Sequence, residues 1–226
     1  MRGKYIAIIV IVATGLAVWI AVDLWRPVSQ NLRQFDPEAV ARLDTDMWRS
    51  YYDRERLKLF NQLAFLLRRQ YRMPLLRSYV VGFHAAKAAF IFKEGRGRAD
   101  YERALPDLLA YYAAIRKVST TPFDVQRTAR LELEWWIVHR ERNRLPAGAL
   151  DRALADLAAE IYQMPRERFA EHARYRAEAM VLRDHRAEAN GASESDWQTI
   201  HGLLRHSWTS LWHALNEADW SAKKQH

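Results

Sequence analysis

The sequence predicts an all-α protein in which one N-terminal transmembrane helix is followed by an irregular bundle of about seven helices. Tyr5 to Val22 form an uncharged apolar run of 18 residues. The chain has nine tryptophans but only eight glycines and seven prolines among its 226 residues, a balance typical of a packed helical protein. No stretch alternates between apolar and polar residues, as a strand does, for more than four residues.

The apolar run Tyr5–Val22 is long enough to cross a bilayer. At about 1.5 Å per residue it spans about 27 Å, and continuing it to Trp25 gives about 31 Å, close to the ~30 Å hydrocarbon core. A cleaved signal peptide is the alternative, because the chain begins Met-Arg-Gly-Lys. The bulky residues around the best small-residue cleavage position, Ala21, favour an uncleaved anchor.

The orientation of this anchor depends on basic residues that are nearly balanced. Arg2 and Lys4 precede the run, and Arg26, Arg33 and Arg42 follow it. A four-residue basic tail is easily retained inside, and a large domain is translocated whatever its charge. We therefore expect a single-pass protein of a bacterial-type inner membrane, with a cytoplasmic N-terminus and a periplasmic domain.

Helix starts and breaks divide the rest of the chain. Asp36 followed by Pro37 is typical of a helix start, and this helix is predicted to continue to Arg72, before Pro74. The last helix is predicted to begin at a capping box, Ser195–Gln198. The other predicted helices cover about 75–92, 100–118, 122–143, 150–162 and 165–189. The predicted organisation is an anchor at 1–26, a polar connector at 27–35, one helical domain at 36–220 and a polar tail at 221–226.

Composition excludes several classes of function. With no cysteine, the chain has no disulfide, thiolate zinc site, iron–sulfur cluster, c-type haem or cysteine nucleophile. It also lacks a glycine-rich phosphate loop, a Gly-x-Ser-x-Gly elbow and a recognisable nucleic-acid-binding signature, so we expect no nucleic acid partner. The net charge is +8, and 28 of the 35 basic residues are arginine. This charge fits either a solvated, salt-bridged surface or affinity for anionic lipid or an acidic partner.

The segment Leu131–Arg142 carries the first candidate site. Glu132, Trp136 and His139 are spaced at i, i+4 and i+7, which places them on one face of a helix. Glu132 and His139 could ligate a metal there, or His139 could bind a haem. Histidine in a core hydrogen-bond network, beside packed tryptophans, is the alternative that we favour.

A second candidate site is spread over several helices. If its residues met, they would form a polar pocket able to bind an anion or to hold a general base. Its members are His84, Lys87, His172, Arg176, Arg183, Asp44 and Glu55. A di-iron site of the bundle type is not expected, because no histidine has an acidic residue three positions before it.

These observations favour a non-enzymatic protein without a cofactor. We expect a membrane-anchored accessory, assembly or scaffold subunit of a membrane complex, whose partners are the lipid bilayer and a protein in the same membrane. The alternative is a metal- or haem-dependent helical-bundle enzyme, or a cofactor carrier, that uses His139 with Glu132, or His84. No residue is assigned a catalytic role, and the candidate cofactor-binding residues are His84, His139 and His172.

Overall fold

The computed structural model describes residues 2–189 and 191–217, and it confirms the all-α class with 81% of the chain in helices. An anchor helix, α1, precedes nine α-helices in the described domain. Their bounds are α1 Arg2–Trp25, α2 Pro37–Tyr52, α3 Arg56–Tyr71, α4 Leu75–Glu94, α5 Arg98–Glu102, α6 Leu105–Val118, α7 Val125–Arg140, α8 Ala149–Tyr162, α9 Ala170–Ala189 and α10 Glu194–Asn216. The predicted tail 221–226 and positions 218–220 lie outside the described residues.

Two of the seven predicted domain helices are each split in two. The helix predicted from Asp36 to Arg72 ends at Tyr52 and resumes at Arg56, because Arg54 adopts a left-handed backbone conformation with φ of 61°. The helix predicted at 100–118 is interrupted before Leu105, where Pro106 occupies the first turn of α6. A proline in the first turn is compatible with a new helix but not with the interior of a continuous one.

The two predicted helix starts had different outcomes. The start at Asp36 is confirmed, since its carboxylate accepts hydrogen bonds from the amides of Glu38 and Ala39. The predicted capping box at Ser195–Gln198 is wrong by two residues. Ser193 is the cap of α10, and its hydroxyl accepts from the amide of Asp196 while the Asp196 carboxylate accepts from the amide of Ser193. Asp at the third position serves here in place of the usual Glu or Gln.

The hydrophobic core joins residues from both ends of the domain. It extends in sequence from Leu32 to Leu215, and the ring of Phe169 is fully buried in it. Leu32 and Phe35 lie in the segment predicted to be a polar connector, yet both are buried. The amide of Gln30, in the same segment, donates to the carbonyl of Val118 at 2.6 Å. The segment 27–35 is therefore part of the packed domain.

The described chain contains two helices that are long and apolar enough to cross a membrane. Lys4–Trp25 has a mean hydropathy of 2.6, and its side chains up to Trp19 are exposed. Leu75–Glu94 has a mean hydropathy of only 1.2 and packs against α3 and α6. Burial of Val81 and Ala88 in that packing indicates that α4 belongs to the domain.

Asp23 joins the anchor to the domain. Its carboxylate accepts hydrogen bonds from the amides of Leu75, Leu76 and Arg77 at 2.8 to 3.1 Å. These are free amides of the first turn of α4, whose cap residue Pro74 supplies no side-chain acceptor. The Arg77 guanidinium completes the joint by donating to the backbone carbonyls of Asp23 and Arg26.

Replacing this carboxylate is expected to loosen the joint. Asp23→Ala should lower the free energy of unfolding of the full chain in detergent micelles by about 1 kcal/mol, the usual cost of a lost helix cap. Amide hydrogen exchange at residues 75–77 should accelerate, because these donors lose their acceptor. The measurements are denaturant unfolding and exchange followed by mass spectrometry.

The matched control for this experiment is Asp36→Ala. It removes the cap of α2 at a similar cost but leaves the amides of residues 75–77 bonded to Asp23. Unchanged exchange at residues 75–77 in Asp23→Ala would contradict the capping role.

Candidate functional site

The structure gives Glu132 and His139 different partners, although both lie on α7. His139 Nε2 lies 3.0 Å from Asp184 Oδ2 on α9, and Arg142 contacts the same carboxylate at 2.9 Å. Burial acts to raise the pKa of Asp184, but the proximity of His139 and Arg142 lowers it overall. The contact between His139 and Asp184 joins α7 to α9.

Glu132 is half-buried between α7 and α6. Its carboxylate accepts from the Tyr112 hydroxyl at 2.7 Å and from Trp136 Nε1 at 2.9 Å. Burial raises the pKa of Glu132, and the hydrogen bonds from Tyr112 and Trp136 offset part of that rise. The predicted contact between Glu132 and Trp136 is present, and both carboxylate oxygens have protein donors.

His84 and Lys87 converge on one carboxylate of α6. His84 Nδ1 lies 2.9 Å from Asp107 Oδ1, and Lys87 Nζ lies 3.0 Å from Asp107 Oδ2. Asp107 is buried, which acts to raise its pKa, but the hydrogen bonds from His84 and Lys87 lower it overall. This pair of contacts links α4 to α6 and gives two members of the second candidate site, His84 and Lys87, a shared partner.

Part of the second candidate site does come together at the centre of the bundle. Arg176 on α9 donates to Asp44 Oδ2 on α2 at 2.6 Å, and Trp208 Nε1 on α10 donates to the same oxygen at 2.9 Å. The Asp44 side chain is 1% exposed. One buried carboxylate therefore holds three helices together. Glu55 lies elsewhere, paired with Lys58 at the surface.

His172 belongs to the joint between α9 and α10. Its Nδ1 lies 2.9 Å from the Ser207 carbonyl oxygen, which can only accept, so Nδ1 carries the proton. The Ser207 hydroxyl in turn donates to the His172 carbonyl at 3.0 Å. Arg183, further along α9, stacks on Tyr52 with its guanidinium carbon 3.4 Å from the ring centroid. His172 and Arg183 therefore have separate partners, Ser207 and Tyr52.

The described residues contain no group of three or more histidine or acidic side chains arranged to hold a metal ion. Of the candidate ligands, Glu132, His84 and His172 are each hydrogen-bonded to a group on a neighbouring helix, and His139 lies beside the Asp184 carboxylate. These contacts bring charged and polar groups of adjacent helices together, which helps to fix how the helices pack.

A surface feature that the sequence did not predict lies on α3 and α4. Outside the anchor helix, six large apolar side chains of the described residues are prominently exposed, and five of them belong to these two helices. We call these five the hairpin face, since α3 and α4 pack as an antiparallel pair joined by the turn 72–74. They are Leu57, Phe65, Val80, Phe83 and Phe90.

Contacts across the hairpin fix its geometry. Tyr79 donates to the Asn61 side chain at 3.0 Å, and the Arg56 guanidinium lies 5.8 Å from the Phe90 ring centroid. At Gly82 the two helices lie within contact distance, since a Cβ there would be 3.6 Å from Leu63 Cγ, an ordinary van der Waals separation. The two helices therefore lie side by side along their lengths.

The partners that sequence reasoning missed are mostly remote in sequence. Asp107, Asp184, Ser207 and Trp208 lie between 20 and 164 residues from the groups that they contact. Of these contacts, only the one made by Asp23 could have been predicted from local sequence features. An acidic residue directly follows the apolar run, and the start of α4 has no acceptor of its own.

Comparisons with protein-family models, with curated proteins and with solved structures find no match for this chain. Its function therefore has to be inferred from the geometry described above.

The buried histidine makes stability depend on pH. Burial lowers the pKa of His172 from 6.5 to about 4. Between these values the unfolded chain binds a proton that the folded chain does not, so this group makes the folded state less stable as the pH falls from 6.5 to 4. Glu132, whose pKa is raised, acts in the opposite direction above pH 4.5.

Removing the titrating group should flatten this dependence. In His172→Gln, the loss of unfolding free energy between pH 7 and pH 4 should be smaller than in the unmodified chain by up to about 3 kcal/mol. Urea unfolding of both proteins across this range measures the difference, and the effect of Glu132 cancels because both proteins retain it. Parallel pH profiles would contradict the assignment.

Proposed function

We propose that this protein is a non-enzymatic, membrane-anchored accessory, assembly or scaffold subunit of a membrane protein complex. The observation that carries the proposal is the hairpin face, an exposed apolar surface on the helix pair that is tied to the anchor. Aromatic side chains are enriched at the energetic centres of protein interfaces, and two of the three exposed large apolar residues of α4 are phenylalanines.

The position of the hairpin supports a partner in the same membrane. Since Asp23 holds the first turn of α4, the exposed residues of this helix lie at set distances from the end of the anchor. At about 1.5 Å per residue, Val80 lies about 8 Å, Phe83 about 12 Å and Phe90 about 22 Å along α4 from Leu75. A partner that reaches the hairpin face therefore needs to extend only a short way from the membrane.

The basic residues around the hairpin face indicate the chemistry of that partner. Arg56, Lys58 and Lys93 lie near its end remote from the anchor. We infer that the partner presents an apolar segment flanked by acidic residues, because opposite charges at the rim of an interface set orientation and selectivity.

The contacts of the candidate cofactor-binding side chains fit a structural role. His84, His139 and His172 each contact a protein group on a neighbouring helix through one ring nitrogen.

We further propose that the anchor stays attached and that the domain faces the periplasm. Asp23 would be lost with a cleaved signal peptide, or left at a new terminus, and the first turn of α4 would then lose its acceptor. We expect the intact mass of the protein from membranes to include residues 5–22. A reporter fused to His226 that is active only outside the cytoplasm should be active, and an inactive fusion at normal expression would contradict the orientation.

An acidic residue on the hairpin face should release the partner. In native membranes solubilised with mild detergent, the unmodified chain should run in a discrete complex of defined stoichiometry, and Phe83→Asp should reduce that complex at least about tenfold, as loss of an interface hot spot does. The stability of the purified chain should change by less than about 0.5 kcal/mol, because Phe83 is exposed. Size-exclusion chromatography and denaturant unfolding provide the two measurements.

The matched control is Leu145→Asp, which changes the one prominently exposed apolar residue of the described domain that lies outside α3 and α4. It should leave the complex intact. A photoreactive residue at position 83 should crosslink to one protein of that complex. Labelling of lipid alone, or of a second copy of this chain alone, would contradict the proposal, as would a Soret band or stoichiometric iron, copper or manganese in the purified protein.

A further inference from the structure

Four exposed arginines gather where the domain meets its anchor. We call them the arginine collar: Arg26, Arg68, Arg69 and Arg72. Arg26 directly follows the anchor helix, and its backbone carbonyl accepts from Arg77 of the first turn of α4 at 2.8 Å. Arg68 and Arg69 lie in the last turn of α3, and Arg72 caps that turn.

The collar lies at the level of the membrane surface. Asp23, at the end of the apolar run, bonds to the amide of Leu75, and Arg72 is three residues before Leu75. Three residues span at most about 11 Å. A polar headgroup layer is about 5–8 Å thick on each side of the hydrocarbon core, and an arginine side chain is long enough to bridge most of the remaining distance.

The charge of the collar is not neutralised by carboxylates of the described residues. None of the four collar residues takes part in an ion pair in that part of the chain. The carboxylate of Asp23 is occupied by three amides of α4. On the neighbouring helix α2, Asp36 caps the helix and Glu38 pairs with Arg42.

An aromatic residue accompanies these charges. Trp25 precedes Arg26 and is 74% exposed. Tryptophan is enriched at the membrane interface, where its ring contacts acyl chains and its N–H contacts polar groups. The combination of one exposed indole with four unpaired guanidinium groups, at the end of an apolar helix, matches the chemistry of a phospholipid headgroup layer.

We propose that the arginine collar binds the phosphate groups of anionic phospholipids in the leaflet next to the domain. The inference rests on the proposed function only in that the anchor must remain in the membrane. A planar guanidinium can donate two parallel hydrogen bonds to a phosphodiester, and an anionic lipid avoids the positive choline or ethanolamine group of a zwitterionic one. The collar thereby fixes the tilt of the domain and of the hairpin face above the bilayer.

Lipid selectivity of the full chain provides the test. The protein is equilibrated in mixed micelles containing equimolar phosphatidylglycerol and phosphatidylcholine with identical acyl chains, and the bound lipids are counted by native mass spectrometry. The unmodified chain should retain phosphatidylglycerol preferentially. The triple variant Arg68→Gln, Arg69→Gln, Arg72→Gln should lower the ratio of retained phosphatidylglycerol to phosphatidylcholine about tenfold, because each arginine near a membrane surface contributes severalfold to the preference.

A charge-matched variant separates the collar from the overall charge. Arg130→Gln, Arg144→Gln, Arg205→Gln removes three exposed arginines from α7, the turn after it and α10. It should retain the preference of the unmodified chain. An equal loss in both triple variants, or the absence of any preference in the unmodified chain, would overturn the inference.

Two further arms distinguish the source of the phosphate and the class of ligand. Inorganic phosphate at the same concentration should not displace phosphatidylglycerol, and displacement would show a site for soluble phosphate. If the collar variant lost the membrane complex while keeping its lipid preference, the collar would bind an acidic protein instead, which would also overturn the inference. The same mass spectrum reports whether residues 5–22 are present, so loss of the anchor is recognised separately from loss of lipid selectivity.

Discussion

The hydrogen bonds between the Asp23 carboxylate and the first turn of α4 fix how the N-terminal apolar helix is joined to the helical domain. Helix α4 begins at Pro74-Leu75-Leu76, where no side chain can accept the free amides. Asp23 supplies that acceptor from a position 52 residues earlier in the chain. A carboxylate at the end of an apolar span has few water molecules around it, so three amide donors stabilise it while it stabilises them. The anchor and the domain are thus one connected unit.

This joint has consequences for both functional surfaces. If α1 stays in a bilayer, as proposed, the joint places the start of α4 and the end of α3 at the membrane surface. The collar then faces the headgroups, and the hairpin face begins just above them. The remainder of the bundle is held by polar contacts of a different kind. The Asp44 carboxylate bonds to groups from α9 and α10, and Asp107 joins α4 to α6. Buried charges of this kind are costly unless paired, which makes alternative packings of the helices unfavourable.

Much of the fold could be predicted from local sequence, because the governing interactions are local. The apolar run and the cap at Asp36 each depend on residues within one or two helical turns. The break at Arg54 was missed because a left-handed arginine has no sequence signature comparable to glycine. The contacts of the candidate site residues were harder to predict from the sequence. Helical spacing placed Glu132 near Trp136 correctly, but whether His139 turns toward them or toward Asp184 depends on α9, which is distant in sequence.

The hairpin face and the arginine collar differ in chemistry, which favours a different ligand for each. An apolar face needs a partner that excludes water, whereas arginines bind phosphate while remaining partly hydrated. Had the exposed phenylalanines faced the bilayer, the arginines flanking them on α3 would have been drawn toward hydrocarbon, at a cost of about 2.5 kcal/mol or more for each one that could not reach the headgroups. Arg68, Arg69 and Arg72 lie at the anchor end of the hairpin, whereas Leu57 and Phe90 lie at its other end. The arginines can therefore contact headgroups while the remote end of the hairpin lies outside the headgroup layer. The location of Arg68, Arg69 and Arg72 at the anchor end of the hairpin therefore fits the two proposed roles, protein binding above the membrane and lipid binding at its surface.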